Sequence, residues 1–189
     1  MDKEQILKLL HELGDELANE ESYATIHVCG GAAMAIAYNS LKTSDDIDAV
    51  LTDFDSRNIF TECVKRIAKR HKLQAGWLNE DVKIFVNSMR EMSFNDFGKF
   101  GALSVRITSE EQLLAMKLLA GRRKDLTDAA VLAKSLNINT KEDLNAVLIK
   151  YFSERTLNFE IKRFKNNLHF SDFQDKIILL LESGEINVK

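Results

Sequence analysis

The sequence predicts an α+β protein: a short-stranded β-sheet region with helices, followed by a helical C-terminal part. Three observations carry this. Ala24 to Cys29 is a short run with β-branched residues that ends at Gly30-Gly31 and gives way to the alanine-rich stretch Ala32 to Tyr38, which is strand, glycine turn and helix. Asp46-Ile47-Asp48-Ala49-Val50-Leu51 then shows a period of two, as a strand does. Near residue 106 the texture changes from mixed to helical, which divides the chain into an α/β part over 1–106 and a helical part over 107–189.

Taken in order, Ile6, Leu9, Leu10, Leu13 and Leu17 recur every three or four residues, so residues 3–20 form an amphipathic helix with its acids outward. The diglycine follows the first strand. Two residues without Cβ let the backbone approach a bulky anion, and the first N–H groups of the next helix point to the same place, as a triphosphate requires. After a polar link over 39–44, Asp46 and Asp48 project from one face of their strand while Ile47, Ala49 and Leu51 line the other. Two carboxylates about 4 Å apart repel by about 4 kcal/mol at an effective dielectric of about 20, so a proton or cation belongs between them. Hard oxygen ligands in such a pair suit Mg²⁺, which takes its remaining ligands from water and phosphate. An acid-x-acid triplet alone is not diagnostic. Asp53-Phe54-Asp55 is a second one, in opposite parity, and reads as a turn and helix N-cap.

Residues 57–71 make a helix with Ile59, Phe60, Cys63, Val64 and Ile67 inward and Lys65, Arg66, Lys69 and Arg70 outward; the basic face could meet an RNA backbone or simply water. The stretch 74–87 is ambiguous, with a strand reading for Val82 to Val86 and a packing role for Trp77. Phe94 to Phe100, containing Gly98, reads as a turn, and Ala102 to Ile107 as a strand. Ser109-Glu110-Glu111-Gln112 is a capping box that opens the next helix. In that helix Lys117 is the lone polar residue of the apolar run 113–120, so its ammonium either snorkels to water or meets an anion. Arg122 has the planar fork that grips phosphate, and Asp125 reads either as a site residue or as the N-cap of a helix through Lys134. A helix over 141–152 is capped from Asn139-Thr140. The last part interleaves Phe159, Phe164, Phe170 and Phe173 with Lys162, Arg163 and Lys165, a mixture found in small helical cores and on single-stranded RNA surfaces, before an apolar helix at 176–181.

Gly30-Gly31, a gap, and then Lys42-Thr43-Ser44-Asp45-Asp46-Ile47-Asp48 resemble the motif of the nucleotidyltransferase superfamily typified by DNA polymerase beta, and most closely its small bacterial branch of AbiEii-like toxins. The resemblance implies the nucleotidyltransferase fold, a small mixed sheet flanked by helices. It further implies transfer of a nucleoside monophosphate from an NTP to a hydroxyl acceptor, either an RNA or tRNA end or a small molecule such as an antibiotic. The Gly pair would hold phosphates, with Lys42 and Ser44 nearby, and Asp46 and Asp48 would bind two Mg²⁺ ions, or Mn²⁺ in their place. Trp77-Leu78-Asn79-Glu80 also resembles a segment of this branch, and Lys117, Arg122, Asp125 and Asp128 are similar to its downstream Lys, Arg-x-x-x-Asp-x-x-Asp pattern. That pattern implies phosphate contacts by Lys117 and an active-site wall containing Asp125 or Asp128. Many members carry a third carboxylate as base; here Glu80, Asp81 and Asp96 are the candidates, none in the usual frame. A cognate antitoxin is the partner such a toxin would have, and a fold-retaining binding protein without turnover is the alternative.

A net charge of −3 demands neither nucleic acid nor a membrane as partner, so any basic surface is local. No stretch approaches the length of a membrane span, no signal-peptide pattern opens the chain, and Cys29 and Cys63 lack metal-site spacing. These features lead us to expect a cytoplasmic protein with reduced, buried thiols.

Overall fold

The computed structural model describes residues 1–38, 42–157 and 170–184. They form two compact units, one of residues 1–83 with 94–108 and one of 84–93 with the described residues from 109 onward.

The first unit is a five-stranded mixed sheet with helices. Its strands are β1 (Ala24–Val28), β2 (Ile47–Phe54), β3 (Leu78–Asn79), β4 (Phe94–Phe100) and β5 (Leu103–Thr108), in the spatial order β3-β2-β1-β5-β4. β1 runs antiparallel to β2 and parallel to β5, β3 runs parallel to β2, and β4 returns antiparallel along β5. The α+β class and the mixed sheet therefore stand as expected. Ile26, Val28, Ile47, Ala49, Leu51, Leu103, Val105 and Ile107 are buried. Helix α1 (Lys3–Asn19) is closed at its start by a reciprocal box in which Gln5 N–H donates to Asp2 and Asp2 N–H to Gln5. It buries Ile6, Leu9, Leu10, Leu13 and Leu17, the stripe its periodicity announced.

Local readings changed in four places. β2 runs on through Asp53 and Phe54, and Ser56 rather than an aspartate caps α3 (Arg57–His71), its hydroxyl accepting from Ile59 N–H. The ladder with β1 extends the strand past the point where its apolar pattern stops. Phe94 to Phe100 is an edge strand, not a turn: residues 95–99 are exposed, so the hydrophobic alternation that betrays a half-buried strand is missing. A bulge between Asp96 and Gly98 and the facing Asp96–Arg106 ion pair (2.7 Å) mark that edge. Within 82–86 the strand alternative fails, since α4 occupies Lys83–Ser88. The predicted helix Ala32 to Tyr38 starts earlier, at Gly30, as α2 (Gly30–Ala33), and widens into a π-type turn over Met34–Tyr38.

The basic face of α3 does not point wholly to water. Arg66 pairs with Glu16 and Glu20 of α1, Arg70 with Glu12 and Glu16, and His71 with Glu12. Arg70, through its hydrogen bond, outweighs the burial that would raise Glu16, and its carboxyl sits below the usual range. These cations answer α1, and Lys65 pairs with Glu62 of its own helix (2.8 Å), which leaves Lys69 of the predicted RNA-facing set.

In the second unit α5 (Glu110–Ala120), α6 (Leu126–Ser135), α7 (Lys141–Tyr151) and α8 (Phe170–Ser183) pack on one another. Beyond its first turn α5 carries Lys117 as its lone polar residue, and every residue from Gln112 to Ala120 is buried, as a helix with no polar face must be. Ser109 caps it, but the box is only half made: the Gln112 side chain accepts from Ser93 N–H and donates to the sulfurs of Met89 and Met92 instead. Thr140 caps α7. The basic and aromatic residues Phe159, Lys162, Arg163, Phe164 and Lys165 lie outside the described residues. No helix among the described residues is long and apolar enough to cross a membrane.

Candidate active site

β1 delivers the diglycine bend. Its last residue is held by Thr108, whose buried hydroxyl donates to the Val28 carbonyl (3.1 Å) and lies 3.0 Å from Cys29 Sγ. Cys29 N–H then donates to the carbonyl of Asp48 (2.8 Å), the last rung between β1 and β2. That rung sets Asp48 beside the bend. Gly30 has a φ of +62°, the left-handed region that side chains resist, and a Cβ built on it would stand 2.8 Å from Asp48 Oδ2. A Cβ on Gly31 would stand 2.6 Å from Ser44 Oγ. Four of the residues singled out from the sequence, Gly30, Gly31, Ser44 and Asp48, are thus packed together, with Gly30 favoured by its backbone conformation and both positions crowded by the tips of the Asp48 and Ser44 side chains. Burial, chiefly, drives the Cys29 thiol up to about 12, with neighbouring Asp48 adding to it, so the sulfur stays protonated and unreactive.

Asp46 lies immediately before β2 and is half-buried like Asp48. Its Oδ2 accepts from Asn79 Nδ2 at 3.1 Å. Sequence reasoning quoted Asn79 within its segment without giving it a role; its place next to the acid strand comes from the parallel pairing Asp48↔Asn79, which no local pattern reveals. Lys42 and Ser44 are half-buried, with exposed Thr43 between them.

The candidates for a third carboxylate are engaged or remote from this pattern. Glu80 accepts from Leu51 N–H (3.0 Å), Arg57 (2.6 Å) and Lys83 (2.7 Å); burial opposes its charge, but these partners prevail and hold its carboxyl low. Asp81 is exposed in the turn after β3, and Asp96 pairs with Arg106 on the edge strand. Trp77 is a packing residue: it is 2% exposed and its indole N–H donates to the Val64 carbonyl at 3.1 Å.

The downstream set forms its own cluster in the second unit. Lys117 is buried and its ammonium donates to Asp125 (3.0 Å) and Asp128 (2.7 Å), so the ammonium meets anions and does not snorkel. Arg122, itself half-exposed, donates to the other oxygen of Asp125. Asp125 stands at the N-cap position of α6 without capping it, its carboxylate being turned to these cations. Burial pushes the Asp125 carboxyl up, and Lys117 and Arg122 more than reverse this, leaving it below the ordinary value.

Asp48 lies against the Gly30 bend and Asp46 stands two residues before Asp48, both half-buried; hard carboxylate oxygens of this kind are what Mg²⁺ takes, one or two of them alongside water and phosphate oxygens. Among the described residues no group of three or more His, Cys, Asp or Glu side chains converges on one point, as a metal cage built by protein alone would. Comparison with protein-family models, with curated proteins and with solved structures finds no match.

Proposed function

We propose that the chain is a metal-dependent nucleotidyltransferase that moves a nucleoside monophosphate from an NTP to a hydroxyl acceptor. The observation that carries this reading is the seating of Asp48 Oδ2 and Ser44 Oγ against Gly30 and Gly31, where a Cβ would come within 3 Å of either oxygen. A phosphate on that bend would share its place with a carboxylate. Such neighbours repel by about 4 kcal/mol at about 4 Å and an effective dielectric of about 20, and a divalent cation is the chemistry that reconciles them.

In this reading the glycines admit the triphosphate, Ser44 hydrogen-bonds its oxygens, and Lys42 adds charge. Asp46 and Asp48 would hold two Mg²⁺ ions, whose chemistry is to activate the acceptor hydroxyl and neutralise charge on the leaving pyrophosphate. The acceptor oxygen bonds to the α-phosphorus as the α–β bridge breaks, pyrophosphate leaves with the bridging oxygen and its electron pair, and the hydroxyl proton passes to water. Glu80 does not take that proton, because its oxygens are engaged by Arg57, Lys83 and the backbone. We also give Lys117 no phosphate contact, since its own carboxylates surround it. An RNA end is our preferred acceptor, with a small molecule as its rival, and an AbiEii-like role would bring a cognate antitoxin as partner.

The test is incubation with Mg²⁺, each labelled NTP and total RNA, for wild type, Asp46→Asn and Asp48→Asn. Labelled RNA with wild type and none with either variant is the expected result. Label in a small product assigns the other acceptor class, and full activity of the double variant refutes the assignment.

A further inference from the structure

Asn79 is fixed at three points. Its Nδ2 donates to Asp46 Oδ2 (3.1 Å) and to the Gly76 carbonyl (3.2 Å), while its Oδ1 accepts from Asp81 N–H (2.9 Å). These partners define the orientation of the amide, since flipping it would aim NH₂ at a donor and oxygen at two acceptors. The backbone is equally tied. Ile47 N–H donates to the Trp77 carbonyl at 2.7 Å, β3 pairs with β2 through Leu78 and Asn79, and the buried indole of Trp77 anchors the segment to α3. The result is a rigid and uncharged donor aimed at one oxygen of Asp46.

Charge is what distinguishes this donor. A lysine or arginine at the same place would hold the carboxylate and also cancel it, as happens to Asp125. A neutral amide fixes its rotation and leaves its negative charge for something else. Groups that orient the ligands of a metal in this way change affinity about 10–100-fold when removed.

We propose that Asn79 is a positioning residue for a divalent cation held by Asp46 and Asp48, fixing the Asp46 carboxylate in the rotation that receives the ion. This rests on the metal-binding reading above, so its test separates the two. The probe is Mn²⁺, titrated into the full chain and followed by loss of the free-ion paramagnetic resonance signal, without nucleotide or turnover. Wild type should bind Mn²⁺, Asp46→Asn should lose it, and Asn79→Ala should bind about tenfold more weakly. Asn79→Ser should match it, because a serine hydroxyl can still accept from Asp81 N–H but is too short to reach Asp46. Leu78→Ala thins the same strand without removing the donor, and should stay close to wild type.

Wild-type affinity in both Asn79 variants overturns the inference while the metal reading stands. So does an equal loss in Leu78→Ala, which would trace the effect to strand pairing. Should Asn79→Ala fail to fold, Asn79→Ser decides, and failure of both makes Asn79 structural. No Mn²⁺ binding by wild type overturns the metal reading and this inference together.

Discussion

Two acidic residues of this chain, Asp46 and Asp125, meet opposite kinds of partner. Asp125 and Asp128 are buried and face Lys117, with Arg122 at the rim, so two negative charges are answered by two positive ones. Asp46 is half-buried and meets the neutral amide of Asn79. Carboxylates matched by protein cations are part of the architecture. A carboxylate held by a neutral amide keeps its field, and Asp46 is where an external cation is to be sought.

The largest effect that would break this contrast is in stability. Lys117→Met leaves two buried carboxylates without their ammonium and should cost about 3–5 kcal/mol in urea denaturation. Asp46→Asn should shift the same midpoint by no more than about 0.5 kcal/mol, as at an ordinary surface position. Equal losses would erase the distinction. Acid should act on the same pair: the depressed Asp125 carboxyl stabilises the fold at neutral pH, and that contribution fades as pH falls to the ordinary value of 3.8 and vanishes below its own lower one. Asp125→Asn should therefore flatten the acid limb of a stability-versus-pH curve.

A smaller effect sharpens the comparison from the other side. Gly30→Ala forces a side chain into a left-handed residue and against Asp48, which should cost about 1–2 kcal/mol and abolish nucleotide transfer together. Thermal melting beside the labelled-RNA assay checks both. The smallest is at the α1–α3 ladder. Arg70→Ala removes two exposed ion pairs, should barely move the melting midpoint, and should leave RNA labelling intact because Arg70 faces α1. A large loss of labelling would restore this helix as an RNA contact.

The elements that were legible beforehand have local causes. The stripe of α1, the Ser109 and Thr140 caps, and the strand, bend and acid strand in series follow from 3.6- and 2-residue periods and from residues that bond their own neighbours. β4 was not legible, because an exposed edge strand owes its form to β5 and carries no apolar alternation. The basic face of α3 looked free because the carboxylates that answer it lie some 50 residues earlier.

The sequence by itself determined the α+β class, the positions of most helices, and the presence of a diglycine and an acid pair on neighbouring elements. Only the tertiary structure decided what each charged group meets. It closed Lys117 onto Asp125 and Asp128, drew Arg66 and Arg70 to α1, and brought Asn79 to Asp46 across a parallel pairing. The physical reason is range. Backbone geometry is set by residues within a turn of one another, whereas whether a carboxylate is cancelled or merely oriented depends on groups that chain folding carries to within about 3 Å.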